Sequence, residues 1–254
     1  MTLRFSSRIR AFLWHLSISG LIGLTALVLV FFVWYPAPLQ KAVGVTEIFL
    51  IVLAVDVILG PCLTLAVARP GKKRHLLIMD LSIIIACQIA ALVYGLSTVA
   101  QGRPSWIVLN TDRADLVRTF EVDTRHLDKA QPEYRKVPWG QPQWVFATLP
   151  EDAPLEEKNN VLIESATGGP DLYHRPEYYA PVSVPEATAM LRQKAQPLEK
   201  LAEFNPPEMV ATVLAETPQA DAWLPLMCNV QAMTVLVNKK EGRILKIVDL
   251  NPWL

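Results

Sequence analysis

Three long apolar runs near the amino terminus constrain this chain more than any other feature of its sequence. The runs are residues 11–34, 44–67 and 75–97 of the 254-residue chain. A helix rises about 1.5 Å per residue, so each run is long enough to cross a hydrocarbon core of roughly 30 Å. The first run is too long for the core of a signal peptide, and it ends in Trp34-Tyr35-Pro36 instead of a small-residue cleavage site. We therefore expect an α-helical bundle of three transmembrane spans in residues 1–100, followed by an α+β domain in residues 101–254.

The positive charges beside the runs predict which side of a membrane each segment faces, because Lys and Arg concentrate in cytoplasmic flanks and short loops. Seven such residues flank the runs on one side and two on the other; the seven are Arg4, Arg8, Arg10, Arg69, Lys72, Lys73 and Arg74, and the two are Lys41 and Arg103. This distribution places the amino terminus in the cytoplasm and the residues beyond about 98 outside it. The two cytoplasmic segments are too short to fold by themselves, which excludes a sensor kinase or a cyclase.

The two parts of the chain differ in the sign of their charge, although the whole chain is formally neutral. Residues 1–100 carry 8 Lys/Arg against 3 Asp/Glu, and the remainder carries 16 against 21. An acidic globular domain argues against nucleic acid as a partner, because binding to phosphates requires a basic face.

Asp56 is the most unusual residue within the apolar runs. It lies near the middle of the second run, where an ionised carboxylate costs about 2.5–3.5 kcal/mol to insert. Asp56 must therefore face protein or be protonated, and Gln88 of the third run offers a polar partner. Three interpretations stay open: a buried hydrogen bond between helices, a contact to a membrane partner, and a proton relay.

Pro61 follows Asp56 in the same run and predicts a bend in the helix. Proline has no amide hydrogen and displaces the carbonyl four residues back, which is that of Val57. The first interpretation is an ordinary kink of a membrane helix; the alternative is that the freed carbonyl and Asp56 together form a polar notch for another helix.

Two other polar residues of the runs are interpreted as structural. His15 lies in the first run and can meet polar groups of its neighbours inside the bundle. Asp80 lies near the cytoplasmic end of the third run, where we expect it to pair with Lys73 or Arg74.

The rest of the chain has the spacing of short strands and amphipathic helices. Strands are predicted over 106–109 and 144–149 and in a hairpin of 233–237 with 244–250, helices are predicted over 155–166, 185–204 and 206–215, and 116–122 reads as strand or helix. Ser183 would cap the second helix, with Glu186 three residues later, and Pro197 would kink or split it. Gly242 would take the left-handed position in the hairpin turn.

Two proline-rich stretches, 132–142 and 170–185, are interleaved with aromatic residues. Aromatic, proline-bounded loops serve as recognition surfaces in many proteins, which makes Trp139, Tyr178 and Tyr179 candidates for contact with a partner. The alternative is that these large side chains cap a small core.

The sequence contains no familiar catalytic or metal-binding motif. Its histidines have no metal-ligand spacing, and it has no Gly-x-Ser-x-Gly, phosphate loop or His-Glu-x-x-His. We expect no catalytic residue, no cofactor and no metal; if the protein is an envelope enzyme instead, His126 with Asp123 and Asp128 is the place to look for a base. Cys228 is the one cysteine outside the runs, so it is expected to be a buried thiol without a disulfide partner in its domain.

Several short motifs together resemble the TfpX/TfpZ group of type IV pilin accessory proteins. They are DVILGPCLTLAV from Asp56, QIAALVYGLSTVAQGRP from Gln88, Asp112-Arg113, Pro138-Trp139-Gly140-Gln141-Pro142, Gly169-Pro170-Asp171, Arg175-Pro176-Glu177-Tyr178-Tyr179 and the Pro252-Trp253 ending. The resemblance implies a multi-pass inner-membrane protein of a Gram-negative bacterium with a periplasmic carboxy-terminal domain. It implies a chaperone-like role in the stability, assembly or extension and retraction of a cognate major pilin, and therefore in twitching motility, without catalysis or cofactor.

The same resemblance indicates what such a protein contacts. In these systems an unassembled pilin is held in the inner membrane by one apolar helix that carries a glutamate, with its globular head outside. We expect Asp56, Pro61 and Gln88 to meet that helix within the lipid bilayer, and the loops 138–142 and 169–181 to meet the head. Other pilus assembly proteins are further candidate partners, and a small transporter that multimerises around Asp56 is a third reading of the chain.

Overall fold

A computed structural model describes residues 7–69 and 71–253 and divides the chain into two compact units. The helical unit comprises the described residues up to Val33 together with Gly44–Gln101. The sheet unit comprises Trp34–Val43 and the described residues from Gly102 onward.

The helical unit contains three helices that are long and apolar enough to cross a membrane: Arg8–Trp34, Val45–Val67 and Arg74–Gln101. We call them the first, second and third spans. Their regular parts are α1 (Ser7–Val28), α3 (Val45–Ala54), α4 (Gly60–Val67) and α5 (Arg74–Gln101), and π-helical turns occupy Leu29–Trp34 and Val55–Leu59. The first and third spans each pack on the second. Three apolar helices were predicted from the runs, and the fold class is confirmed.

The sheet unit is built on one eight-stranded sheet in the order β4-β3-β1-β2-β6-β7-β8, with β5 paired to β6. The strands are β1 (Pro104–Asn110), β2 (Arg113–Arg118), β3 (Gln143–Ala147), β4 (Tyr179–Ala180), β5 (Gln196–Pro197), β6 (Ala222–Met227), β7 (Met233–Asn238) and β8 (Arg243–Val248). The β1–β3 and β2–β6 pairs are parallel, and the others are antiparallel. The helices of this unit are α2 (Leu39–Val43), α6 (Leu155–Ala166), α7 (Pro185–Lys194), α8 (Leu201–Phe204) and α9 (Pro207–Glu216).

Both faces of the central strand β1 are buried, because its side chains alternate between two apolar clusters. Ile107 and Leu109 join the cluster that includes α7, and Trp106 and Val108 join a cluster with Tyr134 and other aromatic residues. A strand covered on both sides reads as a continuous apolar run, which explains why it was recognisable in the sequence.

The short connection between the first two spans belongs to the core of the sheet unit. Leu39 and Ala42 of α2 are fully buried in the cluster formed by β1, β6 and α7. The carbonyl of Ala42 accepts hydrogen bonds from the amides of Val230 (3.1 Å) and Gln231 (3.3 Å). This segment supplies part of the packing of a domain that begins some sixty residues later in the chain.

Several local predictions are confirmed. The helix over 155–166 has the predicted bounds, β7 and β8 form the predicted hairpin, and Gly242 has the expected positive φ of 69°. The segment 116–122, which read as strand or helix, contains both: β2 runs from Arg113 to Arg118, and a 3-10 turn follows at Thr119–Glu121.

The helix predicted over 185–204 is split at Pro197, which was one of the two expectations for that proline: α7 ends at Lys194, Pro197 lies in strand β5, and α8 follows at Leu201–Phe204. The predicted cap is wrong, because Ser183 does not cap α7, whose cap position is Val184 without a side-chain hydrogen bond. Strand β6 was not predicted; it contains Pro225, a residue usually absent from the middle of a sheet.

Candidate functional site

A groove with polar side chains at its base opens between the first and third spans. We call it the polar groove; its cavity is about 490 Å3 and is lined by Ala11, His15, Ile18, Ser19, Ile22, Asp56, Thr64, Leu81, Ile85, Gln88, Ile89 and Leu92. Most of these side chains are apolar, as expected in lipid. The polar ones come from all three spans, so the groove depends on how the helices pack.

The wide turn at Val55–Leu59 shapes the base of the groove. In a π-helical turn each amide bonds to the carbonyl five residues back, so the missing amide of Pro61 leaves the carbonyl of Asp56 without a helical donor. The predicted free carbonyl was that of Val57, which assumed α-helical spacing. Pro61 itself is buried and is not among the residues that line the groove, and its contact with a partner stays a prediction.

Gln88 of the third span serves that free carbonyl. Its Nε2 donates to the backbone oxygen of Asp56 at 2.9 Å and to Asp56 Oδ1 at 3.2 Å. Gly60 makes room for this contact, because a Cβ at that position would collide with the Gln88 amide. The hydrogen bond between helices that was one interpretation of Asp56 is therefore present.

Two oxygen atoms at the base of the groove have no hydrogen-bond donor. They are Asp56 Oδ2 and Gln88 Oε1, both buried. A buried polar atom without a partner costs about 1–3 kcal/mol, and native structures rarely keep one without a reason. Gln88 Oε1 is an acceptor, and Asp56 Oδ2 accepts when ionised and donates when protonated, so the arrangement suits an incoming carboxyl group, which can both donate and accept.

His15 and Asp80, the two polar residues interpreted as structural, lie in different surroundings. His15 lines the polar groove, and its Nδ1 is 2.5 Å from the hydroxyl of Thr64 in the second span. Asp80 pairs with Lys72, not with the predicted Lys73 or Arg74. The lysine of that ion pair lies in the loop before the third span, so the contact is local.

The aromatic candidates of the sheet unit fall into different environments. Trp139 is 66% exposed and contacts Trp34 edge to face, with ring centroids 6.1 Å apart. Tyr179 is buried against Trp106 and Tyr134, and its hydroxyl donates to a backbone carbonyl. Tyr179 therefore belongs to the core, and its interpretation as a contact residue is corrected.

Tyr178 faces the surface helix α6, and its hydroxyl donates to Glu157 at 2.7 Å. A cavity of about 420 Å3 lies beside this contact, lined by His126, Lys129, Pro154, Glu156, Glu157, Asn160, Val161, Ile163, Glu164, Arg175 and Tyr178. Asp123, considered as a partner of His126, instead accepts hydrogen bonds from Arg125, and these lower the pKa of Asp123.

A smaller pocket, of about 210 Å3, brings titratable groups together beside β2 and β6. Burial raises the pKa of Asp115 to about 6, although Arg113 Nε donates to both of its oxygens at 3.1 and 3.2 Å. Burial also raises the pKa of the Cys228 thiol to about 12 and lowers the pKa of His174. A thiol with so high a pKa is a poor nucleophile at neutral pH. Among residues 7–69 and 71–253, no group of three His, Cys, Asp or Glu side chains could hold a metal ion.

Comparison with known proteins gives a consistent set of relatives. The model of a family described as fimbrial assembly protein FimB matches residues 3–44. The fimbrial assembly protein of serogroup E1 from Dichelobacter nodosus is 28% identical over 245 residues, which covers 94% of this chain and 93% of the relative. The corresponding protein of serogroups C1 and C2 is 37% identical over 126 residues, which covers 47% of this chain and 96% of the relative. No solved structure is significantly similar to this chain.

Proposed function

This chain belongs to the family of fimbrial assembly proteins, as its resemblance to pilin accessory proteins predicted, and we propose that it is a non-catalytic assembly factor for the major pilin of a type IV pilus. In this proposal the protein lies in the bacterial inner membrane with its sheet unit in the periplasm. The distribution of Lys and Arg around the spans supports that orientation.

The observation that carries the proposal is the pair of buried oxygen atoms without hydrogen-bond partners in the polar groove. Asp56 Oδ2 and Gln88 Oε1 have no donor of their own, and the walls around them are apolar. A single apolar helix with one hydrogen-bond donor complements this site in both respects. Interhelical hydrogen bonds in membranes contribute about 1–2 kcal/mol, which is enough to select a partner but weak enough to release it.

A pilin subunit fits this description. The resemblance implies a membrane-held pilin helix that carries a glutamate, and in its neutral form that carboxyl group has one O–H donor. The neutral form is the one favoured in lipid, because an ionised carboxylate is costly there. We propose that the glutamic acid donates to Asp56 or Gln88 while the apolar side chains of the pilin helix fill the groove.

The alternative of an envelope enzyme finds less support. His126 lines a cavity, but the nearby Asp123 is engaged by Arg125. The pocket at Asp115 contains a thiol whose pKa is too high for nucleophilic attack at neutral pH. His174 lines the same pocket, but its Nδ1 accepts from the amide of Asp171 and the Cys228 thiol donates to the carbonyl of Leu226, so no hydrogen bond joins the two among the described residues.

The proposal is tested by recovery of the pilin with the tagged full-length protein from solubilised membranes. Asp56→Ala and Gln88→Ala should each reduce recovery of full-length pilin about fivefold or more, the loss expected from one interhelical hydrogen bond. Ser97→Ala is the matched control, because Ser97 is an exposed polar residue of the third span that bonds within its own helix. Undiminished recovery with both groove variants, at normal protein levels, would refute the proposal that the polar groove binds the pilin helix.

A further inference from the structure

Helix α6 (Leu155–Ala166) presents its apolar side chains away from the core of the sheet unit. Leu155, Leu162 and Ile163 are 74%, 65% and 59% exposed, whereas Val161 is the one residue of the helix that is buried. Positions 155, 162 and 163 share one face of a helix, because they are spaced by seven and eight residues. We call these three residues the outer ridge. A surface helix ordinarily turns such a face inward.

Polar contacts hold the helix in this orientation. Glu157 accepts a hydrogen bond from Tyr178 at 2.7 Å. Glu164 accepts from Arg175 at 2.6 Å and from Arg125 at 2.7 Å, and Arg175 is itself buried. The polar side of α6 is thus fixed to the sheet unit, and the apolar ridge faces outward as a consequence.

The border of the ridge is acidic. Glu151, Asp152 and Glu156 are exposed around the start of α6, and among the described residues none of their carboxylates forms an ion pair. Lys158 adds one positive charge to this border, because its ammonium donates to the backbone oxygen of Glu151 at 2.7 Å, so three carboxylates stand against one ammonium. The cavity of about 420 Å3 continues from the ridge, because Glu156 and Ile163 also line it. The surface is therefore apolar in its centre, and carboxylates outnumber Lys129 and Lys158 at its edge.

This charge decides among the occupants of the ridge. Two copies of the chain that paired ridge to ridge would bring their carboxylates together, and like charges in close contact are destabilising. An anionic lipid surface would repel the same groups. A protein surface with apolar side chains and a border of Lys or Arg complements the ridge on both counts.

We propose that the outer ridge binds the globular head of the pilin through an apolar patch bordered by basic residues. This inference rests on the proposed function and adds the surface by which the sheet unit takes part in it. The polar groove holds the pilin helix, and the outer ridge holds the head.

Binding of the isolated pilin head to the full-length protein in nanodiscs tests the inference. The probe is the purified head of the major pilin from the same organism, produced without its apolar helix, and the measurement is the dissociation constant. Leu162→Gln and Ile163→Gln should each weaken binding about tenfold, because the few central, desolvated contacts that dominate an interface cost that much or more when they are lost. Both side chains are exposed, so neither change removes packing from the core.

Met209→Gln is the matched control. Met209 is an exposed apolar residue of α9 (47%), and the same substitution there should leave the dissociation constant unchanged. Replacing Glu151 and Glu156 by Gln should weaken binding several-fold and reduce its dependence on salt, because charged rims act through screened electrostatics.

Equal affinity of the wild type and both ridge variants would overturn the inference, as would an absence of binding by the head. A ridge variant that instead dissolved a dimer of this chain would also overturn it in favour of self-association. These outcomes leave the polar groove untouched, because that site is tested with full-length pilin and with Asp56 and Gln88. The failure of one proposal is therefore distinguishable from the failure of the other.

Discussion

In the polar groove, Asp56 and Gln88 lie among apolar walls, whereas on the outer ridge Leu162 and Ile163 lie among carboxylates. The two surfaces are opposite in polarity. Each, however, differs in polarity from its surroundings: the groove is polar within lipid, and the ridge is apolar within water. Lipid cannot satisfy a polar atom, and water cannot favourably cover an apolar one. A candidate contact site is therefore marked by a polar group in the helical unit and by an apolar group in the sheet unit.

Away from these surfaces the two units also differ in how they are held together. The spans expose large apolar side chains such as Trp14, Leu21 and Ile51, which lipid can cover. The sheet unit closes its core on both faces of β1 and recruits the segment between the first two spans to do so. The following predictions test this contrast, in order of decreasing effect.

The largest effect is expected at Leu39, which is distant in sequence from the domain it stabilises. Leu39→Ala should destabilise the sheet unit by about 2–5 kcal/mol, because it leaves a cavity in the buried cluster. Pulse proteolysis of the full-length protein in nanodiscs measures this loss of unfolding free energy, because fragments of the sheet unit appear as that unit unfolds. Leu155→Ala serves as the control, since Leu155 is exposed and should change stability by less than about 0.5 kcal/mol. If Leu39→Ala and Leu155→Ala had equal effects on stability, the segment that contains Leu39 would not be part of the core.

The second prediction concerns Asp115, a buried carboxylate of the sheet unit. Burial raises the pKa of Asp115 from its usual 3.8 to about 6. The folded state therefore binds this proton more tightly than the unfolded state, so the stability that Asp115 contributes is present below about pH 4 and is lost as the pH rises through about 6. At pH 7.5, Asp115→Asn should stabilise the sheet unit by up to about 3 kcal/mol.

The difference between wild type and Asp115→Asn isolates this effect from other groups. Arg125 lowers the pKa of Asp123, and hydrogen bonds and charge from Arg118 lower the pKa of Glu121 despite its burial, so these two carboxylates favour folding at higher pH and oppose the trend. The unfolding free energies of the wild type and of Asp115→Asn, measured between pH 4 and pH 8, should diverge as the pH rises. Asp128→Asn, at an exposed carboxylate outside the pocket of Asp115, should run parallel to the wild type. A constant difference between wild type and Asp115→Asn would show that Asp115 keeps an ordinary pKa.

The smallest expected effect concerns the base of the groove. Gly60→Ala places a methyl group where the Gln88 amide lies, so Gln88 must leave Asp56. The loss of one interhelical hydrogen bond predicts a change of about 1–2 kcal/mol, seen as reduced recovery of pilin. Gly20→Ala in the first span is the control, because a Cβ there meets nothing within 4 Å. If the two alanine variants recovered pilin equally well, the Gln88–Asp56 contact would have no part in binding.

The sequence predicted those elements whose signal is local. The three spans, helix α6 and the β7–β8 hairpin follow from length, periodicity and a turn glycine, which operate over a few residues. Pro197 splits the helix predicted over 185–204, as one of the expectations for that proline had it, whereas β6, which contains Pro225, was not predicted. Pairing with neighbouring strands, which no local pattern contains, stabilises β6 regardless.

The candidate site was predicted in part. Asp56 and Gln88 are conspicuous because polar residues are rare in apolar runs, and the structure brings them into contact. The outer ridge gave no comparable signal, since Leu155, Leu162 and Ile163 have the spacing of any amphipathic helix. Tyr179 shows the reverse case: its place in an aromatic loop predicted a contact residue, but the fold buries its side chain.

The order of residues by itself determined that this chain has three apolar spans, an acidic α+β domain and a carboxylate in the middle of a span, because composition and spacing act along the chain. Only the tertiary structure decided which groups are left without partners. Whether Asp56 Oδ2 finds a donor, whether Leu162 faces the core and whether Leu39 packs beneath a distant sheet depend on the positions of other elements. Burial and hydrogen bonding are properties of the whole packed arrangement, and both candidate contact surfaces of this protein arise at that level.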